Sequence, residues 1–498
     1  MIPYTAALAG AILMWLAFPP FDIGMLAFFA PVPFLWGVRR AESASGAIAV
    51  GFVYGAVFFG LLLSWVSVLG MVAWIPLTLW LGALSGAYGL LVWSFRTWPP
   101  ARWWLIAVGG WVLWELIKAY VPWGGFPWGS LGYAAAGNPG FIGSVQWIGP
   151  SGWTALAAGV AAGIVLVIED TEQWRLLVDP AVVVLLLVLG GLLFPPHADG
   201  RIVNAAIVQG GSPCPQTHCQ NENQRIYERH MELSRTIPRD IVDLTVWPEN
   251  SFGSPFDPIG SPEIDRDLKV EAQRLGAYML VSGTNRVDTE SFVNVNIVYS
   301  PIATEVGRYD KQHPVPFGEF VPLRDLFDFI PQLDQVPRDM IPGTESVVFP
   351  LRFGEDNGVL GSVISFEGAF IRHIRAEAQA GSQLLVVATN ESSYGPDAAA
   401  SDQLIEMARV NAAAVGQDLI LAAITGKSTF ITAEGDIDEK TEPLEETVIY
   451  GEVQFRVAGP TLYTRIGNWM VVVALAGAAA AIFTPGPGRP ERGMRLSA

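Results

Sequence analysis

Charge is scarce in this sequence. Only 15% of its 498 residues are Asp, Glu, Lys or Arg, histidine occurs 5 times and cysteine 2 times. With 51% hydrophobic residues and 18 tryptophans, so few charges cannot coat a soluble protein of this length. An ordinary water-soluble enzyme is excluded first. Positive charge is especially short, and a net charge of −17 argues against nucleic acid as a partner. Metal ligands are short too. Beside Cys214, His218 and Cys219 there is no second CxxC or HxxxH, so no metal site and no cofactor is expected. The two cysteines of "GGSPCPQTHCQ" are equally compatible with a disulfide and with two free thiols. The first apolar run lacks a basic n-region and an A-x-A-like cleavage site, and is read as a retained helix.

What is abundant is apolar sequence in runs of roughly 17 to 25 residues, enough to cross about 30 Å of hydrocarbon. They lie near 4–19, 22–38, 47–69, 72–95, 103–120, 150–168, 178–194 and 466–484. Between the last two the composition changes. Residues 197–465 hold 21 of the 30 Lys and Arg and 39 of the 47 Asp and Glu, a net of −18 that leaves +1 for the rest. The expected organisation is a seven-helix transmembrane domain over 1–196, a polar domain over 197–465, a C-terminal span over 466–484 and a tail over 485–498. Arg39 and Arg40, Arg96 and Arg102, Arg175, and then Arg489, Arg492 and Arg495 occupy alternate connections. By the positive-inside rule these lie in the cytoplasm with both termini, and the large domain of this multi-pass cell-membrane protein faces outward.

Within 197–465, strand and helix patterns alternate. "RIVNAAIV", "IVDLTVWPE" up to Glu249, "AYMLVSGTNR", "FVNVNIVYS", "VLGSVIS", "SQLLVVATNE", "DLILAAITG" and "STFITAEG" read as strands. "NENQRIYERHMELSRTI", "IDRDLKVEAQRLG", "AFIRHIRAEAQAG" and "SDQLIEMARVNAAAVG" read as helices. This is an α/β domain whose strands are buried on both faces. The Pro-rich stretch 312–345 has the length of a lid or binding loop.

Three strand ends carry residues able to do chemistry. Glu249 stands in "TVWPENSF", Lys311 in "YDKQHPVPFGEFVP" ahead of Glu319, and Ser365 in "GSVISFEGAF". Taken singly they are a turn carboxylate, a solvated charge and an N-cap. Taken together, in this order, they make a base, a cation for developing negative charge and a nucleophile at a strand-to-helix corner.

These motifs, with "VVATNESSYG" after them, resemble the Glu-Lys-Cys motifs of the nitrilase superfamily. Their fusion to seven preceding spans and one following span, with "GGFPWGSLGYAAAGNPG" at 124–140, resembles the apolipoprotein N-acyltransferase family. The resemblance implies an αββα sandwich beside about eight transmembrane helices. It implies transfer of an acyl chain from a phospholipid to the α-amino group of diacylglyceryl-cysteine in an apolipoprotein, through an acyl-enzyme and among membrane lipids. Carried over residue by residue, Glu249 would be the general base, Lys311 the oxyanion and intermediate stabiliser, and Ser365 the occupant of the nucleophile position. Glu319 and Glu367 would be supporting acids, and Phe366 stands where a tyrosine is common.

The departure is serine in place of the family's cysteine. A thiol of pKa about 8.5 is easily activated, whereas a hydroxyl needs a dedicated base in close geometry. Three accounts stand at residue 365: an engineered Cys-to-Ser change, a natural divergent paralogue, and serine as the nucleophile itself. Two functions follow, an acyltransferase or a catalytically impaired homologue. The second would bind lipoproteins or a partner enzyme, and the partner suggested by the resemblance is a polyprenol-phosphate mannose synthase.

Overall fold

The computed structural model describes residues 1–484 except 197, 198, 218, 328, 397, 398 and 458. His218 and the tail 485–498, with Arg489, Arg492 and Arg495, lie outside the described residues.

Prolines decide how the apolar runs become helices. α1 (Ile2–Leu16) stops short of Pro19 and Pro20, and the next run divides into a 3-10 turn, Gly24–Phe28, and α2 (Pro31–Arg39). A proline inside a helix lacks the N–H for the preceding turn, whereas at the first helical position that N–H is not needed. The runs expected at 4–19 and 22–38 are therefore shorter as helices than the sequence suggests. α3 (Ala44–Leu62), α4 (Met71–Ser94), α5 (Pro100–Tyr120), α6 (Val145–Glu169) and α7 (Arg175–Leu193) follow, with α6 kinked at Gly149 ahead of Pro150. Among the described residues four helical segments, 44–62, 71–94, 142–169 and 171–193, are long and apolar enough to cross a membrane. Three apolar helices, 2–16, 24–39 and 469–483, are shorter. Small residues bring α3 and α4 into backbone contact, since a Cβ on Gly51 would stand 2.4 Å from the Ser85 carbonyl.

The α/β part has two sheets. β1 (Ile202–Gln209), β2 (Leu244–Val246), β3 (Tyr278–Arg286), β4 (Ser291–Tyr299) and β5 (Glu305–Asp310) form the first. β6 (Val348–Phe353), β7 (Asp356–Ile364), β8 (Leu384–Thr389), β9 (Asp418–Ala423), β10 (Thr429–Ile431) and β11 (Ile437–Lys440) form the second, in the spatial order β11-β10-β9-β8-β7-β6. β12 (Thr447–Gln454) returns to the first sheet beside β1, giving β12-β1-β2-β3-β4-β5. The sheets face one another across an apolar interior that includes Ile207, Leu280, Phe349, Val386 and Ile420. Strands buried on both faces carry near-continuous apolar sequence, which is why β1 and β8 were legible. Four strands were not: β5, β6, β11 and β12 each carry partly or fully exposed residues, and β11 is exposed throughout.

α8 (Glu222–Thr236) and α9 (Pro262–Leu275) cover the first sheet. α10 (Ile371–Gln379) and α11 (Ala400–Val415) cover the second, completing an αββα sandwich. α11 is buried along nearly its whole length because its other face meets the membrane helices, where Ile405 and Ala408 share one apolar core with Trp153 and Ala157. Polar contacts cross this seam. Trp65 Nε1 donates to Gln403 Oε1 at 3.1 Å, the Tyr133 hydroxyl to Asn411 Oδ1 at 2.9 Å, and Arg372 to the carbonyls of Ala119 and Gly124, both at 2.8 Å. Cys214 and Cys219 are joined in a disulfide with their Cα atoms 6.1 Å apart.

Candidate active site

The facing sheets bring their strand ends together at one edge. β2 ends at Val246, earlier than the sequence pattern suggests, and Glu249 follows in the turn beyond it. Lys311 comes directly after β5, and its N–H donates to the carbonyl of Asn294 on β4 at 2.9 Å. Ser365 comes directly after β7, at the start of a 3-10 turn spanning Ser365–Ala369 that leads into α10.

Lys311 is 1% exposed and lies between two acids. Its Nζ donates to Glu319 Oε1 at 2.8 Å and to Glu249 Oε1 at 3.2 Å. Asn294 Nδ2 joins the same two carboxylates, at 2.7 Å from Glu249 and 3.2 Å from Glu319. The other Glu319 oxygen accepts from the Val315 N–H at 2.8 Å, which ties the Pro-rich loop to the site. Ser365 has φ of 53°, a left-handed conformation that costs a serine about 1–2 kcal/mol and turns its side chain out at the corner. Its hydroxyl lies beside the Glu249 carboxyl, where it favours that group's charged form, and accepts from Thr389 Oγ1 at 3.4 Å. Glu249, Lys311 and Ser365 are thus brought together, with Glu319 in contact with the lysine.

Glu367 stands behind them. Its Oε1 accepts from the N–H groups of Gln312 and His313 at 2.6 and 2.9 Å, and its Oε2 from the Ile364 N–H and the Tyr309 hydroxyl, both at 2.8 Å. The donors come from β5 and the loop on either side of Lys311 and from β7 before the corner, so Glu367 holds Lys311 and Ser365 in register. It touches neither reactive group.

Burial by itself would lower the proton affinity of Lys311, but Glu249 and Glu319 outweigh it and hold the amine above its ordinary range, as a cation. Burial also pushes the Glu249 carboxyl up; Lys311 opposes the rise and Glu319 adds to it. A carboxylate made more basic beside a fixed cation is equipped to take a proton while the cation faces negative charge.

The membrane part supplies the roof. Phe366 stacks on Trp128 with ring centres 5.6 Å apart, and Trp128 stacks on Phe126 at 4.7 Å. Trp65 lies 6.1 Å from Trp128 and 4.8 Å from Tyr394. The rings beside residue 365 form an apolar wall reaching from the corner to the membrane helices. Asn294, Thr389, Trp65 and Trp128 had not been singled out from the sequence. Asn294 left a trace there, as one of two asparagines, with Asn296, inside a largely apolar strand, while the tryptophans were lost among 18.

Residues 10–163 match the apolipoprotein N-acyltransferase N-terminal domain, and residues 204–463 match the carbon-nitrogen hydrolase domain. The apolipoprotein N-acyltransferase of Geobacter metallireducens is 30% identical over 96% of this chain and 94% of its own length. That of Mycolicibacterium smegmatis is 25% identical over 91% of this chain and 80% of its own. Among solved structures, an amidase from Nesterenkonia sp. aligns over 57% of this chain and 98% of its own at 15% identity, with a TM-score of 0.38. On the strength of the two domain matches and the near full-length relatives, the chain belongs to the apolipoprotein N-acyltransferase family.

Proposed function

We propose that this chain moves an acyl chain from a membrane phospholipid to the α-amino group of diacylglyceryl-cysteine on apolipoproteins, through an acyl-enzyme on Ser365. Glu249 takes the hydroxyl proton as Ser365 Oγ attacks the ester carbonyl, and Lys311 stabilises the negative charge on the carbonyl oxygen. The proton passes to the departing lysophospholipid oxygen. In the second half the amine attacks the acyl-serine, and the proton it sheds on attack travels through Glu249 back to Oγ. The observation that carries this reading is the meeting of Glu249, Lys311 and the left-handed Ser365 corner beneath rings supplied by the membrane helices.

The aromatic wall suits acyl chains, which a soluble enzyme could extract from the bilayer only at a cost of about 0.8 kcal/mol per CH₂. Arginine placement supports a large domain outside the cytoplasm, with 1–196 and 466–484 in the membrane and 485–498 inside. A reporter fused within 197–465 that is active in the cytoplasm would refute that topology. The alternative, a non-catalytic binding protein, is not favoured by full-length relatives that are named as acyltransferases, and nothing in those names points to a polyprenol-phosphate mannose synthase.

The test is an acyl-transfer assay on the full chain in phospholipid micelles, with mass detection at residue 365. The expected outcome is a slow acyl adduct on Ser365, a faster one in Ser365→Cys because the thiol is the more easily activated nucleophile, and none in Ser365→Ala. An adduct that survives Ser365→Ala, or none in either the native or the Ser365→Cys form, would sink the acyl-enzyme.

A further inference from the structure

One acid at this edge has no task in the mechanism above. β7, β8 and β9 are parallel neighbours, with Ile364 opposite Ala388 and Thr389 opposite Ala423, so their C-terminal ends finish side by side. Ser365 follows the first, Glu391 the second and Thr425 the third. Glu391 is 5% exposed; its Oε2 accepts from the Ser401 hydroxyl, and its Oε1 has no partner among the described residues. Two further buried oxygens at this edge, Thr425 Oγ1 and Asn294 Oδ1, are also unpartnered among the described residues. Leaving such a group unpaired costs about 1–3 kcal/mol; the Glu391 and Asn294 oxygens can only accept, so they call for a ligand that donates, and the Thr425 hydroxyl can meet it in either role. The ion pairs agree: Lys311 is shared by Glu249 and Glu319, and Lys427 is paired with Asp402, while Glu391 has no ion pair among the described residues.

The acceptor substrate brings such a donor group. An α-amine has an ordinary pKa near 8 and arrives at neutral pH mostly as an ammonium, which has no lone pair for attack. It must lose one proton before it attacks and a second as the amide forms, and Glu249 accounts for only the second. We propose that Glu391 receives the acceptor's α-ammonium and takes that first proton, an assignment that rests on the acyl-transfer reading above.

The step balances. The ammonium gives a proton to the Glu391 carboxylate and becomes a free amine. Its lone pair attacks the acyl carbon, the N–C bond forms, and the second proton passes to Glu249. The C–Oγ bond breaks, Oγ takes the proton from Glu249, and Glu391 returns its proton to water. The surroundings of Glu391 suit the exchange. Burial pushes its carboxyl up to about 7; Asp402 and Glu249 add to the rise, Ser401 and Lys427 oppose it, and Tyr394 stands beside it as a buried neutral phenol. The loop carrying Glu391 is braced from outside, where the Gln216 N–H in the disulfide loop donates to the Ser392 carbonyl at 2.8 Å.

The test is binding of a synthetic diacylglyceryl-cysteinyl peptide to the full chain in detergent, with its α-amine free or N-acetylated. The native chain is expected to prefer the free amine by tenfold or more. Glu391→Gln should lose that preference at an unchanged melting temperature, and Glu391→Asp, which keeps the charge, should retain it. A Glu391→Gln chain that still discriminates overturns the proposal. Where an acyl adduct forms on residue 365, Glu391→Gln should leave its formation untouched and slow only its transfer to the peptide; equal slowing of both overturns the proposal as well. A chain that discriminates the two amines through Glu391 yet forms no adduct would remove the acyl-enzyme and keep the amine site, so the two failures are separable.

Discussion

α5 buries a lysine beside a glutamate, and the sheet ends bury another lysine beside glutamates, yet the two arrangements do different work. In α5, Lys118 donates to the carbonyl of Trp128 and is 1% exposed. Its neighbour Glu115 accepts from Trp111 Nε1 at 3.0 Å, from the Leu131 N–H at 2.6 Å and from the Thr154 hydroxyl at 2.7 Å. Both charges are consumed in holding the connection that presents Trp128 to Phe366. At the sheet ends Lys311 bonds to two carboxylates, and one of them, Glu249, lies against Ser365. Charges tied to neutral donors and acceptors fix a shape, whereas charges tied to one another beside a hydroxyl can trade protons. A buried lysine invites a functional reading, and here its partners assign Lys118 to support.

The comparison is easiest to break at its catalytic half. Glu249→Gln is expected to lower acyl transfer about 10³-fold, measured by product mass, with little change in melting temperature, since a positioned base contributes about 10² to 10⁴. A variant that melts early and loses activity only in proportion would make Glu249 structural. Lys118→Met should do the reverse and cost about 1–3 kcal/mol of stability in detergent, because the Trp128 carbonyl loses its donor and Glu115 its nearby cation. Adding Glu115→Gln should restore part of that loss, and an unchanged unfolding curve for the single variant would erase the distinction. Trp128→Ala tests the link between the two regions. A roughly tenfold weaker use of long-chain phospholipid, with short-chain donors less affected, is expected from the lost apolar wall.

A buried acid without a cation sharpens the comparison by the smallest effect. Burial raises the Glu377 carboxyl to about 8 from an ordinary 4.5. The folded chain therefore keeps a proton that the unfolded chain releases, and stability falls as pH rises from about 4.5 to about 8. Melting curves of Glu377→Gln should lack this contribution, at most about 1.4 kcal/mol per pH unit, and an unaltered slope would show that Glu377 does not titrate there.

Several of these distinctions could be anticipated from local chemistry. "WPEN" and "ISFEGAF" placed Glu249 and Ser365 at the ends of apolar strands, because a buried strand announces itself by its hydrophobicity and its end by the first polar residue, whereas the polar, partly exposed β5 left Lys311 marked only by its motif "YDKQHPVPFGEF". The disulfide stayed open until Cys214 and Cys219 were placed on one turn. Glu391 was in plain view within "VVATNESSYG", but an acid after a strand is ordinary until its free oxygen is seen. The edge strand β12 was illegible for the opposite reason, since its irregular exposure and distant partner leave no periodic apolar face.

By itself the amino-acid sequence determined the two kinds of material in this protein, apolar helices and an acidic α/β insert, because composition alone sets what water will accept. It also determined which side chains stand at strand ends, since that depends on neighbours along the chain. Only the tertiary structure decided which of those ends meet, that Trp65 and Trp128 lean over the corner, and that Glu391, past the next strand end, keeps an oxygen without a partner among the described residues. Those are contacts between residues distant in sequence, and they come into being when the sheets face each other and α11 closes against the membrane helices.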